Sequence, residues 1–396
     1  MQTLEIHGGI HWVGVLNATL RAFDVVFKTR YGSTYNSYLI QADQPTLIDG
    51  VHEKFAQEHI AKLKSLINLR DIQYIVVNHT EMDHSGSLGA LLKETPNAVI
   101  LSTKTASFFL KNILHTDFKV KVVEDGECVS LGNKQLKFIH APYWHWPDTM
   151  FTYLEDDRIL FSCDGFATHF CDERLFNDSV DDFSEEFRYY FEHIMGPYRK
   201  KILEALEKIK NIDIRLIAPS HGPVLRTEPG KYINAYRDWS TSRRDVNKKQ
   251  VAIFYVSMYG NTKKMAEAVA RGASTVNTEV KLFDAAGVSP DFMRCEIESA
   301  DGVMFGSPTM NGDAVRPIWD IIDILFSVNV KGKNCATFGT YGWSGEATRL
   351  MEERLKGLKL IPVQPPLKVI FSPTEEDLRK CSIFGYDFSR VLSGGA

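Results

Sequence analysis

No two of the six cysteines (Cys128, Cys163, Cys171, Cys295, Cys335 and Cys381) form a C-x-x-C pair. Their spacing excludes zinc ribbons, rubredoxin-type iron sites and most cysteine-ligated iron–sulfur clusters. It also speaks against a disulfide framework, which a chain of 396 residues does not need. No apolar run reaches the roughly 18–20 residues of a membrane-spanning helix. The stretch Met1 to Gly9 lacks the basic-then-apolar pattern of a secretory signal. The formal charge of −4, with Lys and Arg spread along the chain, leaves no basic stripe for nucleic acid. No G-x-G-x-x-G follows a strand, which argues against a dinucleotide site. These absences leave an expected soluble, cytoplasmic protein whose metals, if any, are held by histidines and carboxylates.

Apolar material is ample, at 44% hydrophobic and 24% charged residues. At about 100–200 residues per domain, the length implies two or three domains. The segment Trp239 to Gln250 (WSTSRRDVNKKQ) is polar without apolar period, and Val251-Ala-Ile-Phe-Tyr-Val256 then reads as a buried parallel strand. The boundary is expected at 245–250, giving domains 1–248 and 249–396. After it, strand-like runs at 251–256, 278–283, 302–306, 334–338 and 367–371 alternate with helical patterns such as Thr262 to Gly272. Thr374 and Asp377 form a capping-box pattern before the last helix. This second part is α/β, a doubly wound parallel sheet of five strands. The first part groups strand-like runs (36–40, 45–48, 73–77, 98–101, 119–123, 136–140, 150–154, 159–162 and 214–217) with helices at 53–66 and 198–209. It reads as two mixed sheets covered by helices.

The most informative segment is Val76-Val-Asn-His79-Thr-Glu81-Met-Asp83-His84, where an apolar strand ends in four potential ligands. Loops at strand ends are where a rigid scaffold presents side chains. Imidazoles and carboxylates suit Zn, Fe or Mn. Four ligands in one loop can serve two metals, but two metals need more donors. His145, Asp164 and His221 each follow a strand-like run and sit beside turn residues. Each alone is equally an ordinary turn or core residue; together the seven form a candidate set.

The order H-x-E-x-D-H, then His, Asp and His, resembles the metallo-β-lactamase fold as used by flavodiiron proteins. Hydrolytic members of that superfamily carry a second His where this chain has Glu81. A carboxylate there makes the site harder and more anionic, which favours iron over zinc. The resemblance implies an αββα sandwich in which His79, Glu81 and His145 hold one iron, and Asp83, His84 and His221 the other. Asp164 would bridge the two.

In the second part, Ser257-Met258-Tyr259-Gly260-Asn261-Thr262 joins strand to helix and resembles the flavodoxin phosphate loop, S/T-x-x-G-x-T. Backbone N–H groups at the helix start, with the Ser257 and Thr262 hydroxyls, suit the phosphate of FMN. Two further strand-end loops contain Ser307, Pro308, Thr309, Asn311 and Gly312, and Thr340, Tyr341, Gly342, Trp343 and Gly345. Their glycines permit close approach to a ring system, and Tyr341 or Trp343 can stack on an isoalloxazine.

Other residues keep two readings. Tyr190 resembles a family tyrosine near the diiron pocket, and an aromatic packing role fits it equally. His169 is either a pocket residue or a surface histidine. Asp24 lies near a position where some family members carry a histidine, and the resemblance implies no such histidine contact here. Trp146 could separate the irons from a flavin, while His7, His52 and His115 read as surface or packing residues. The catalytic set is therefore Glu81, Asp83, Asp164 and Tyr190. The resemblance implies an oxidoreductase that reduces O2 to water, NO to N2O, or both, at a diiron site fed by FMN. It further implies a head-to-tail homodimer, or a dimer of dimers. The donor would be a separate rubredoxin or, alternatively, reduced coenzyme F420. A metallo-hydrolase with an accessory flavodoxin module, and a pure electron carrier, are the competing readings.

Overall fold

The computed structural model describes residues 3–24, 27–241, 248–286 and 290–394. The chain divides into two compact units, Met1–Ser242 and Arg243–Ala396. The first half of the expected boundary, 245–247, lies outside the described residues.

Two sheets face each other in the first unit. One has seven strands in the order Leu4–His7, Ile10–Trp12, Tyr38–Ile40, Thr46–Ile48, Tyr74–Val77, Val99–Ser102 and Val120–Val122. The first pairings are antiparallel and the last three parallel. The other sheet runs Cys128–Ser130, Gln135–His140, Met150–Leu154, Ile159–Cys163 and Leu216–Pro219, parallel only at its last pairing. Side chains alternate along a strand. Val76 therefore enters the core between the sheets with Trp12, Phe138 and Phe161. Its neighbours Ile75 and Val77 pack outward under Leu63, Leu88 and Leu110 of the covering helices. The opposite outer face is closed by Phe187, Ile202 and Tyr236 over Phe151 and Ile217. Burial on both faces explains why the sequence reads as continuous apolar runs instead of alternation.

The run expected at 36–40 appears as the shorter strand Tyr38–Ile40, preceded by a strand in a separate ladder. Ser33–Tyr35 pairs with Val15–Asn17, and Tyr38–Ile40 enters the large sheet. The helices at 53–66 and 198–209 appear as Glu53–Phe55 with Ala56–Lys64, and as Arg199–Ile209. The polar stretch from Trp239 overlaps the end of a helix, Pro229–Ser240, that buries Tyr236 and Ser240.

The second unit has a parallel sheet in the order Thr278–Asp284, Lys249–Tyr255, Gly302–Gly306 and Asn334–Tyr341. Its far edge is shared by two short strands, Ile361–Pro362 and Leu367–Ile370, in place of the single strand expected. The strand order reverses beside Lys249–Tyr255, and ligands of doubly wound sheets bind at the carboxyl ends there. Both faces carry a helical layer, with Met265, Val269 and Phe388 on one side and Ile318, Ile322 and Met351 on the other. The Thr374–Asp377 capping box forms as expected.

Candidate metal centre and flavin cleft

The seven expected ligands converge where strands of both sheets end. Tyr74–Val77 delivers His79, Glu81 precedes the short helix Met82–Ser85, and Asp83 and His84 lie on that helix. Gly50 lets the neighbouring strand end approach: its N–H donates to His84 O at 2.9 Å, and a Cβ there would lie 2.7 Å from the same oxygen. His145 has a left-handed backbone, φ 50°. Asp164 and His221 follow Ile159–Cys163 and Leu216–Pro219.

Two groups of donors share Asp164. Its Oδ2 lies 3.2 Å from His145 Nε2 and 3.7 Å from His79 Nε2, and Glu81 Oε2 is 3.2 Å from the same His79 nitrogen. Its Oδ1 lies 3.3 Å from both His84 Nε2 and His221 Nε2, while Asp83 Oδ2 is 3.1 Å from His221 Nε2. Every imidazole turns Nε2 inward. The ring orientation is fixed from behind at His79, whose Nδ1 is 3.1 Å from Asp148 Oδ1, and at His221, whose Nδ1 is 2.6 Å from Thr34 O.

Burial disfavours charge on the four histidines, Glu81 and Asp164, yet their mutual contacts prevail. Against burial, hydrogen bonds to Asp164 and Glu81 raise His145 to a pKa of about 9, and those to Asp164 and Asp83 raise His221 to about 10. The same contacts hold Glu81 and Asp164 below the ordinary carboxylate range, again against burial. The carboxylates demand compensating positive charge, and a pair of cations can supply it while releasing the imidazole protons. Both oxygens of Asp83 are buried and face only the ring nitrogens of His84 and His221, at 3.3 and 3.1 Å, as ligands converging on a cation would be. The donor set therefore fits two metal ions. Cys163 Sγ also lies near His84 and Asp164. Burial, then the Asp164 and Asp49 charges, push its thiol pKa far up, which makes it a poor ligand.

A cavity of about 640 Å³ opens onto Glu81 and Asp83, with apolar walls that include Phe23, Phe109, Ile113 and Trp146. The Trp146 ring stands 5.0 Å from His79. Tyr190 does more than pack, since its hydroxyl donates to Asp164 Oδ1 at 3.1 Å. His169 is buried, against the surface reading, with Nδ1 2.9 Å from Ser33 Oγ and its ring 4.9 Å from that of Tyr190. Asp24 lines the cavity, and burial followed by the Glu81 and Asp83 charges raises its pKa to about 6. His52, read from sequence as surface or packing, also lines the cavity, with Nδ1 occupied by the Lys54 N–H at 3.1 Å. Asp148 was missed because its partners, His79 and Thr80, are distant in sequence.

In the second unit a cleft of about 350 Å³ lies among the three strand-end loops. Ser257, Met258, Tyr259, Asn261, Thr262, Pro308, Thr309, Asn311, Thr340, Tyr341, Gly342 and Trp343 line it, together with Met310 and Phe371, which no motif marks. Gly260 adopts φ 82° just before the helix Asn261–Ala273, a turn that favours glycine. Gly260, Ser307, Gly312 and Gly345 do not line the cleft. Ser307 instead braces its loop, with Oγ accepting from Val315 N and donating to Pro308 O. Ser257 Oγ is buried without a hydrogen bond beside the helix start, as a phosphate donor would be. The loops fit FMN.

A model described as ODP family beta lactamase matches residues 34–222, and a flavodoxin model matches 253–385. The chain is 42% identical to "Type A flavoprotein fprA" of Rhodobacter capsulatus, covering 98% of this chain and 91% of the relative. It is 38% identical to a "Nitric oxide reductase" of Moorella thermoacetica, covering 99% and 98%. The chain belongs to the flavodiiron, or type A flavoprotein, family. Among solved structures, the rubredoxin oxygen:oxidoreductase of Desulfovibrio gigas superposes with a TM-score of 0.72 at 28% identity, covering 100% of this chain and 99% of that one. Flavodiiron proteins thus share with this chain both units: the β-lactamase-like sandwich and the flavodoxin-like sheet.

Proposed function

We propose that this chain is a flavodiiron oxidoreductase that reduces O2 to water, NO to N2O, or both. The observation that carries the reading is Asp164, one oxygen toward His79 and His145 and the other toward His84 and His221. In this reading His79, Glu81 and His145 hold one iron, and Asp83, His84 and His221 the other. The Ser257–Thr262 loop holds the FMN phosphate, with Tyr341 and Trp343 beside the ring. When bound, two irons supply electrons and open positions for a diatomic, and FMN relays electrons from an external donor.

The chain's own residues do the rest. Phe23, Phe109 and Trp146 give a small apolar molecule a dry path to Glu81 and Asp83. Both reactions consume protons, and Asp24 places a carboxyl group at the cavity wall that can pass one inward. Tyr190 steadies Asp164 through its hydroxyl. Three side-chain groups around each metal position, with Asp164 shared, hold two ions in place without filling every coordination position.

Finer assignments belong to the same proposal. The domains divide near residue 248, one per cofactor. The donor is a separate rubredoxin, consistent with cysteines too scattered for an internal rubredoxin site, with reduced coenzyme F420 as alternative. A head-to-tail homodimer brings each flavin to the partner's irons, and the compartment is the cytoplasm. No helix among the described residues is long and apolar enough to cross a membrane. The test is anaerobic: after iron and flavin analysis, O2 and NO consumption by the reduced protein is measured, with rubredoxin or F420H2 as donor. Zinc in place of iron, with thioester or lactam hydrolysis, would support the hydrolase reading.

A further inference from the structure

The two metal positions have opposite surroundings behind their ligands. Asp148 is fully buried, and its carboxylate takes three donors: His79 Nδ1 at 3.1 Å, Thr80 N at 2.8 Å and Thr80 Oγ1 at 2.7 Å. His221, in the second group, leans on a neutral carbonyl, Thr34 O. The bridge is polarised the same way, because Tyr190 donates to Asp164 Oδ1, the oxygen facing the second group. That hydrogen bond draws electron density from one side only. Solvent differs too: in the first group Glu81 and His145 side chains are 17% and 14% exposed, though His79 is fully buried, against 5%, 3% and 1% for Asp83, His84 and His221. The remaining buried carboxylate nearby, Asp49, acts on His84 more than on His79 and so opposes the difference, but its two oxygens are engaged by Asn78 N and Nδ2.

A carboxylate behind an imidazole raises the basicity of the ligand nitrogen, and an added anion or nearby solvent favours the more highly charged ion. All three asymmetries point one way. We propose that the two metal positions are electronically unequal, and that Asp148 is the positioning residue that makes the His79 position the one oxidised first. In the one-electron-oxidised pair, the ferric ion then sits with His79, Glu81 and His145, and the ferrous ion with Asp83, His84 and His221. This rests on the iron reading given above.

The test is an anaerobic redox titration of the iron-loaded holoenzyme, followed by EPR and by Mössbauer spectroscopy with iron-57. Asp148→Asn removes the charge. It shifts the first oxidation step to higher potential, by about 59 mV for a tenfold change in a one-electron equilibrium, and leaves the second step nearly unmoved. Thr80→Val removes one donor from Asp148 but keeps its charge, so the first step moves to lower potential. Tyr190→Phe removes the donor from the bridge and lowers the second step instead. Should Asp148→Asn fail to fold, the Thr80 and Tyr190 variants still separate the two steps. Two irons per chain with both steps unmoved in all variants, or moved together, would overturn the inference. Fewer than two irons in the unmutated protein would overturn the diiron reading itself.

Discussion

The two candidate sites are built on opposite plans. In the first unit, function sits in buried side chains, with His79 and His221 held from behind by Asp148 and Thr34 O. In the second, it sits in strand-end loops whose large side chains stand in solvent, with Tyr259 86% and Trp343 88% exposed. Buried charges must be paired at fixed geometry or they cost stability. A flavin needs only a phosphate cradle and apolar faces, which exposed rings provide. The first site should therefore fail abruptly when one group is removed, and the second by degrees.

The largest effect is expected at Glu81 and Asp83. Replacing either with Ala should lower O2 and NO consumption by more than ~100-fold, the upper range for loss of a ligand's orienting partner, and reduce iron content while FMN content stays unchanged. Intact activity in both variants would remove the diiron assignment. Ser257→Ala comes next. Losing one hydrogen bond to a phosphate dianion, worth roughly 1.5–3 kcal/mol, should weaken FMN binding about 10- to 100-fold in a fluorescence titration, with two irons retained. Trp343→Ala should cost less, about 0.5–1.5 kcal/mol of ring stacking. Equal losses from the serine and tryptophan variants would contradict the phosphate-loop reading.

Legibility followed the same divide. The seven ligand candidates were readable because costly polar groups crowd strand ends, as in His79-Thr80-Glu81-Met82-Asp83-His84. The proposed phosphate loop stands out because a backbone cradle demands a fixed spacing of Ser, Gly and Thr. What escaped depends on pairing through space. Asp148 meets His79 across 69 positions, and His52 lines the cavity although nothing beside it in sequence marks a site. The strands Leu4–His7 and Ile10–Trp12 do carry a strand signal, Leu4, Ile6, Ile10 and Trp12 alternating with Glu5, His7 and His11 around Gly8-Gly9, but at four and three residues they are too short to stand out beside the continuous apolar runs. Phe371 joins the flavin cleft only because the sheet edge brings Leu367–Ile370 beside Asn334–Tyr341.

A smaller effect separates the metal-free from the loaded state. Without metal, His145 and His221 have pKa values of about 9 and 10, above the ordinary ~6.5 of an unfolded histidine. A raised folded pKa means stabilisation that is complete below pH ~6.5 and lost as pH rises through 9 to 10. Metal binding reverses the sign, since protons compete with the ions for the same nitrogens. Thermal unfolding between pH 6 and 10 should show the apoprotein losing stability while the iron-loaded protein holds or gains it. Parallel losses in both would contradict the account of these histidines.

The most direct measurement is iron, zinc and FMN content of the anaerobically purified protein, followed by O2 and NO consumption once the flavin is reduced. The account predicts two irons and one FMN per chain, with consumption of at least one gas. Two zinc ions with hydrolytic activity, or full iron and flavin with neither gas consumed, would contradict it.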